Sequence, residues 1–465
     1  MKNIALFILT VYSFQVSAHK IRPEIKNLVQ KIEKYNELQS EHVGIGGQTT
    51  EQYRNFEKLK NKATINELLE LLKHKNSVVK GYTSWALADK KYSKLSNIFT
   101  EFLRTGETAT MQDGCIVSTD ELAREFYHRV LYQHFENKLT EQDSLFFQSQ
   151  IKQLDSVILY GKYKTDLMSK ALENNNGNPK TYERIKFLAL NEKNIEAIEA
   201  LAIYQRKEDI PELKKLGELA FSAIAKFPDA EFWDFLISYK LKFESNSYML
   251  AVSAYKTEKS SEVLTDILKT IDKESIAYLS EVITKNYCNH YQSLILYIWE
   301  NYKMIDLRAT KLIIKDIPEK ASISFAKGLL SSQEYRLLEF DNDYGDSEMI
   351  LPLIFENINK YQNDKILNIC KLNINSTKFI KLGLFLTFIK DNKLTETNGE
   401  ILNRLEKKNI PFEVFHLTET ILSFKNPNDK EKLIKLLRAN QEDWDRGNWS
   451  EHFRNLFKEY DITFD

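Results

Sequence analysis

The stretch "NELLELLKHKNSVVKGYTSWALAD", residues 66–89, decides how the rest of the chain is read. Two apolar segments flank a polar break, KHKN. Before the break, Leu68, Leu69, Leu71 and Leu72 make one apolar stripe. After it, Val78, Tyr82 and Trp85 follow the i, i+4, i+7 spacing of an amphipathic helix, with Val79 and Ala86 beside them. Asn76 or Ser77 can accept from the exposed amides where the second helix starts, as an N-cap does. The spacing predicts helix, short turn, helix, each burying its stripe against the other. His74, between two lysines with no second ligand at metal spacing, reads as a corner residue.

The same grammar returns downstream. Residues 181–220 read as a helix, an NEKN turn, a second helix and then EDIPELKKL, with Pro211 in the first turn of the next helix. Residues 227–241 repeat the device with Pro228. Tyr204, Tyr255 and Phe424 each stand near a helix end and precede a polar loop, and in each case a leucine follows nine residues on, at Leu213, Leu264 and Leu433. Self-similarity of this kind marks a stacked helical array.

On these residues the chain resembles the HEAT-repeat family. Asn76, Val79, Lys80, Ala86 and Leu87 match its pattern of a polar turn, Val-Arg, Ala and Ala-Leu, with Lys80 in place of the usual arginine. Asn194, Ala200 and Leu201 match more loosely. His74 stands where the family often has aspartate, and Gly81 lies inside the second helix, where it costs about 1 kcal/mol unless close packing uses it. The resemblance covers about a third of the chain. It implies an all-α fold, an α-α superhelix in which degenerate HEAT-like antiparallel helix pairs form an irregular solenoid.

Composition agrees. The 465 residues are 43% hydrophobic and 28% charged, an ordinary balance with enough material for a core. Only 14 glycines and 8 prolines are present, too few for a large sandwich or barrel with its many tight turns. The 65 basic and 66 acidic residues carry no basic half, so no nucleic-acid partner is expected, and the lysines of "KEKLIKLLR", residues 430–438, read as a solvated helix face.

Residues 1–18 read as a secretory signal peptide: Lys2 supplies the positive start, residues 4–12 the apolar run, and Val16-Ser17-Ala18 a small-residue cleavage site after Ala18. The expected location is therefore periplasmic or extracellular, in a bacterial cell envelope. Removing the segment leaves 64 basic and 66 acidic residues. No membrane span is expected in the mature chain; "FIKLGLFLTFI", residues 379–389, is too short and reads as a buried helix. The expected organisation is residues 1–18 as signal peptide, residues 19–118 as N-terminal helices with the first HEAT-like unit and a long polar loop, and residues 119–465 as the main HEAT-like solenoid with a C-terminal cap. Two interruptions stand out, "EHVGIGGQTT" at residues 41–50 and "RTGETATMQDGCIVSTD" at residues 104–120. Both read as loops, with Ser118 or Thr119 capping the helix that follows.

Candidate chemistry is sparse. Glu121, Glu125 and His128 share a helix face, and Glu-x-x-His is half of a di-metal carboxylate pattern, but no second pair occurs, and a charged surface helix is expected. Asp341, Asp343, Asp346 and Glu348 are dense enough to suggest calcium. The EF-hand pattern fails there, because Gly345 takes a ligand position, Asp346 stands where glycine is required and Pro352 falls at the twelfth place. A solvated turn before a helix near Ser347 is expected instead. Trp444 and Trp449 suggest sugar stacking, against the preferred reading of a terminal cap. Asp113-Gly114-Cys115 reads as a turn. Cys115, Cys288 and Cys370 are odd in number and far apart, so they form no disulfide framework; three mostly buried free thiols are expected, the alternative being one bridge with a spare thiol. No phosphate loop, nucleophile elbow or dinucleotide fingerprint is found. Neither a catalytic site nor a metal or other cofactor is expected.

The leading expectation is a non-enzymatic interaction scaffold that binds a protein partner along a groove of the solenoid. The alternative is a glycan-binding protein of the envelope. The third is a cell-wall lytic enzyme, whose nearest signature, Glu244-Ser245, lacks the glycine-rich segment that should follow.

Overall fold

A computed structural model describes residues 21–463 except residues 45, 136–138, 240–244, 332–333, 339–346 and 408–409. The signal segment, the acidic loop from Asp341 to Asp346 and Glu244 lie outside the described residues. The fold is all-α, with short strands only. The chain divides into two compact units at Gln205/Arg206.

The first unit contains α1 (Pro23–Tyr35), β1 (Leu38–Val43), α2 (Glu51–Lys62), α3 (Ile65–Leu71), α4 (Ser77–Asp89), α5 (Leu95–Thr105), β2 (Thr108–Gly114), β3 (Ile116–Glu121), α6 (Leu122–Phe135), α7 (Glu141–Tyr160), α8 (Met168–Asn174), α9 (Tyr182–Leu190) and α10 (Ile195–Ala202). The opening stretch folds as its spacing predicts. Leu68 and Leu71 are buried in α3, and Asn76 caps α4 by accepting from the Val79 amide at 3.0 Å. His74 is a corner: its Nδ1 accepts from the Asn76 amide at 3.2 Å. Lys80 pairs with Glu107 at 2.7 Å.

Helix α4 is the centre of this unit. It packs against α1, α2, α3 and α6, and both strands β1 and β2 lie on it. Gly81 is where β1 crosses: a Cβ there would stand 2.6 Å from Leu38 Cδ1. The close approach expected from a glycine inside a helix is therefore a strand contact. Phe56, Tyr82 and Trp85 form an aromatic cluster, with Tyr82 stacked on Phe56 at 4.9 Å.

The expected loop at residues 104–120 is corrected, and the one at residues 41–50 only at 41–43, since residues 46–50 do form a turn. Residues 38–43 and 108–121 form a three-stranded sheet in the order β1-β2-β3, with β1 parallel to β2 and β2 antiparallel to β3. The reason is a period-two pattern: Ala109 and Met111 are buried while Thr108, Thr110 and Gln112, on the opposite face, are not. Ser118 and Thr119 lie inside β3, not at a helix cap, and α6 begins at Leu122, whose amide bonds the Glu107 carbonyl at 2.8 Å.

The second unit runs through α11 (Ile210–Lys215), α12 (Ala220–Lys226), α13 (Trp233–Ile237), α14 (Asn246–Ser253), α15 (Glu258–Leu268), α16 (Lys273–Lys285), α17 (Gln292–Tyr302), β4 (Met304–Asp306), α18 (Leu307–Asp316), α19 (Pro318–Ser331), β5 (Arg336–Leu338), α20 (Ser347–Tyr361), α21 (Asn363–Ser376), α22 (Phe379–Asp391), α23 (Asn398–Leu405), α24 (Pro411–Ser423), α25 (Pro427–Ala439) and α26 (Trp449–Glu459). From α18 to α24 every helix packs against the next but one. That is the signature of a two-layer stack in which contacts stay between neighbours.

The aromatic-loop-leucine echo has a backbone counterpart. Gln205, Lys256 and Lys425, the residues just after Tyr204, Tyr255 and Phe424, are all left-handed, at φ 52°, 54° and 54°. Lys303 after Tyr302 repeats it at φ 59°. These are helix C-terminal turns of the kind glycine usually makes, which is one reason a helical chain of this length manages with few glycines.

Candidate functional site

A cleft of about 800 Å³ in the first unit is lined by α2, α4, α6, β1 and β2. Amphipathic packing places it. The buried faces of α2, α4 and α6 meet around Phe56 and Trp85, and their polar edges diverge beside the sheet. Tyr53, Glu57 and Lys60 project from α2, Asp89 from the last turn of α4, and Glu125, His128, Arg129 and Tyr132 from one face of α6. Glu41 and His42 come from β1, and Met111 and Asp113 from β2.

One wall is neutralised within itself. Arg129 Nε donates to Asp89 Oδ1 at 2.8 Å, its Nη2 bonds Oδ2, and both side chains are largely buried. Lys60 lies 3.4 Å from Asp89 and also bonds Glu57. The Arg129 guanidinium stands 5.4 Å from the Trp85 ring, 5.5 Å from Phe56 and 5.9 Å from Tyr132, close enough for cation–π attraction. Burial pushes the Tyr53 phenol up to about 12, so it is neutral at physiological pH.

The other wall is not neutralised. The side chains of Glu41, Asp113 and Glu125 make no hydrogen bond or ion pair among the described residues. Burial pushes Glu125 up to about 7; the neighbouring charges of Asp120 and Asp113 add to the rise, and Arg124 opposes it. Burial against the protein lowers the His128 pKa, and Arg124 lowers it further, although the ring keeps an exposed edge at the rim. His42 Nδ1 donates to the Gly47 carbonyl at 3.1 Å. Trp85, only 4% exposed, has no acceptor for its Nε1.

Of the residues singled out in the sequence, Glu125, His128 and Asp113 are brought together here. Glu121 is not; it lies at the end of β3, beside a separate shallow depression with Arg124 and Asp166. No group of three or more His, Cys, Asp or Glu side chains placed to hold a metal ion is found among the described residues. Cys115 is exposed at the turn between β2 and β3, which corrects the expectation of a mostly buried thiol, while Cys370 is fully buried and burial pushes its thiol up to about 12. All three cysteines are free.

Trp444 is buried against Phe453 and Phe457, with its Nε1 bonded to the Leu437 carbonyl at 2.9 Å, and Trp449 packs among Phe412, Phe415 and His452. Neither presents an open pair of faces to a sugar. Arg129, Asp89, Tyr53 and Glu41 escaped the sequence reading because four separate elements bring them together. The one local signal was the i, i+4 repeat of Glu125 and Arg129 on α6.

No protein-family model matches the chain, and no curated protein or solved structure matches it. No helix among the described residues is long and apolar enough to cross a membrane.

Proposed function

We propose that the chain is a non-enzymatic interaction scaffold, carried out of the cytoplasm by its N-terminal segment, that holds a partner in the cleft of its first unit. The observation behind this reading is the division of the cleft into a self-neutralised wall and a wall of three unpaired carboxylates. Side chains that only stabilise a fold end in partners, as Arg129 and Asp89 do; carboxylates left unpaired beside a polar cleft are available to something else. The HEAT-like reading of the helix pairs supports a scaffold, because a stack of neighbour-packed helices offers a rigid support for a recognition site. The test is affinity capture from the envelope fraction with the intact chain and with Tyr132→Glu, which replaces an exposed ring at the rim of the cleft with a carboxylate beside Arg129. Capture of a partner that Tyr132→Glu abolishes, with circular dichroism unchanged, supports the reading. Equal capture by both proteins removes the cleft from the interaction.

A further inference from the structure

We infer that Asn176 is a site of spontaneous covalent modification, at which the chain converts its own asparagine to aspartate and isoaspartate, and that the isoaspartyl form loosens the loop bracing Asp155. The inference stands apart from the cleft and its partner.

The chain contains two Asn-Gly pairs, Asn176-Gly177 and Asn398-Gly399. Glycine after asparagine leaves the following amide nitrogen unshielded, so that nitrogen can reach the side-chain carbonyl one residue back. The fold treats the two pairs differently. Asn176 and Gly177 are both exposed in the turn after α8. Gly177 holds φ 68°, and a Cβ there would meet nothing within 4 Å. Among the described residues the Asn176 side chain has no hydrogen-bond partner, and the Gly177 amide donates to none. Asn398 is 8% exposed and opens α23 with a helical ψ of −39°, which holds the next amide out of line with its side-chain carbonyl; its Nδ2 bonds Asp429. Attack there needs the helix end to open first.

The step is a ring closure followed by hydrolysis. The Gly177 nitrogen gives its proton to solvent base and bonds to Cγ of Asn176, the Cγ–Nδ2 bond breaks, and Nδ2 leaves as ammonia. Water then opens the cyclic imide. Breaking the new bond to Cγ gives aspartate. Breaking the bond to the main-chain carbonyl carbon gives isoaspartate, whose backbone runs through Cβ and Cγ. One water is consumed and one ammonia released, with no change of oxidation state.

The loop cannot absorb the longer backbone freely, because both flanks are tied. Asn174 and Asn175 donate to Asp155 Oδ2 at 3.1 and 3.4 Å, and Asn175 also donates to the Ala171 carbonyl. On the other side the Asn178 carbonyl accepts from Tyr204 at 2.7 Å and from Thr181 at 3.0 Å. An extra backbone carbon between these anchors draws Asn175 off the buried carboxylate of Asp155, which leaves an acceptor short of a donor.

The experiment incubates the intact chain at neutral and mildly alkaline pH and follows both pairs by peptide mass spectrometry, with chromatography separating aspartyl from isoaspartyl peptides. Deamidation is expected at Asn176 at least about tenfold faster than at Asn398. It should quicken with pH, because the Gly177 amide must lose its proton. The aged parent should unfold at lower urea. Aged Asn176→Gln, whose longer side chain closes the ring far more slowly, should keep the fresh parent's midpoint. So should fresh Asn176→Asp, which gains the charge without the extra backbone carbon. Equal rates at the two pairs, or no reaction at Asn176 where the free peptide of residues 173–180 deamidates, overturns the assignment. An aged parent as stable as aged Asn176→Gln, or fresh Asn176→Asp as weak as the aged parent, overturns the loosening of the loop.

Discussion

The Tyr82 hydroxyl closes a two-way bond with the backbone of Gln39: it accepts from the Gln39 amide at 2.8 Å and donates to the Gln39 carbonyl at 3.1 Å. The bond is buried, and it ties β1 to α4 beside the floor of the cleft. Tyr82→Phe keeps the stacking on Phe56 but leaves both backbone groups without partners, at a cost of about 2 kcal/mol. Calorimetric melting should show the loss, and hydrogen exchange should show faster opening of the Gln39 amide than of amides in α7. A variant as stable as the parent would mean that water replaces the phenol.

Gly81 and Leu38 make the second contact between the same two elements. Gly81→Ala raises the helix propensity of α4 by about 1 kcal/mol. It also drives a methyl to 2.6 Å from Leu38 Cδ1 and 2.8 Å from Cδ2. Leu38 is fully buried and cannot swing out, so the overpacking penalty of about 1–3 kcal/mol should prevail. The expected outcome is a lower melting temperature, partly restored by the double variant with Leu38→Ala. Restoration identifies the clash as the cause.

These two contacts also show how far the sequence could be read. The helix pair around Asn76 was legible because capping and apolar spacing are local, and the stack followed because the pattern recurs. The sheet was not legible. Its strands are short, Gln39 and Gln112 are polar partners across the β1–β2 pair, and the alternation at Ala109 and Met111 spans only two buried positions. Parallel pairing of residues 38 and 111 depends on how α4 and α5 pack, which no local pattern encodes. The cleft inherits that difficulty: Glu125 and His128 were visible as a helical pair, but the burial that moves Glu125 toward neutrality comes from elements distant in sequence.

The left-handed turns give a prediction of opposite sign. Lys425 holds φ 54° after Phe424, a conformation that costs a side chain about 1–2 kcal/mol relative to glycine. Lys425→Gly removes that strain but frees the unfolded chain, which offsets about half of the gain. A net stabilisation of about 0.5–1 kcal/mol is expected in urea titrations. No change would show that the lysine recovers the strain through the carbonyls and dipole of the α24 C-terminus.

Arg404 and Glu413 test how the second unit holds its connections. Both side chains are at least nine-tenths buried and pair at 2.9 Å, while Arg404 also donates to the carbonyls of Asn375 and Thr377, and Glu413 accepts from the Phe379 amide. Together they clamp the link between α21 and α22, where Phe379 takes the left-handed φ of 50°. Glu413→Ala strands a buried guanidinium and should cost about 3–5 kcal/mol. Glu431→Ala breaks an exposed pair with Lys435 on α25 and should leave stability nearly unchanged. Similar losses for the two variants would refute the clamp.

Asp155 makes stability depend on pH. It is 1% exposed in α7, accepts from Tyr127 at 2.6 Å and from Asn174 at 3.1 Å, and forms no ion pair among the described residues. Burial pushes its pKa up to about 6, with those hydrogen bonds working against the rise. A carboxyl whose folded pKa lies above its unfolded value near 3.9 binds its proton more readily when folded. It therefore destabilises the fold above pH 6, and stability from this group rises as pH falls from about 6 toward 4, where the unfolded chain begins to take up the same proton. A shift of about 2 units corresponds to about 3 kcal/mol across that window. Asp155→Asn keeps an acceptor for the Tyr127 hydroxyl and removes the charge, so it should stabilise the protein at pH 8 and flatten its profile between pH 4 and 6. Urea midpoints measured at half-unit steps for both proteins decide the matter, because parallel profiles would place the pH dependence elsewhere in the chain.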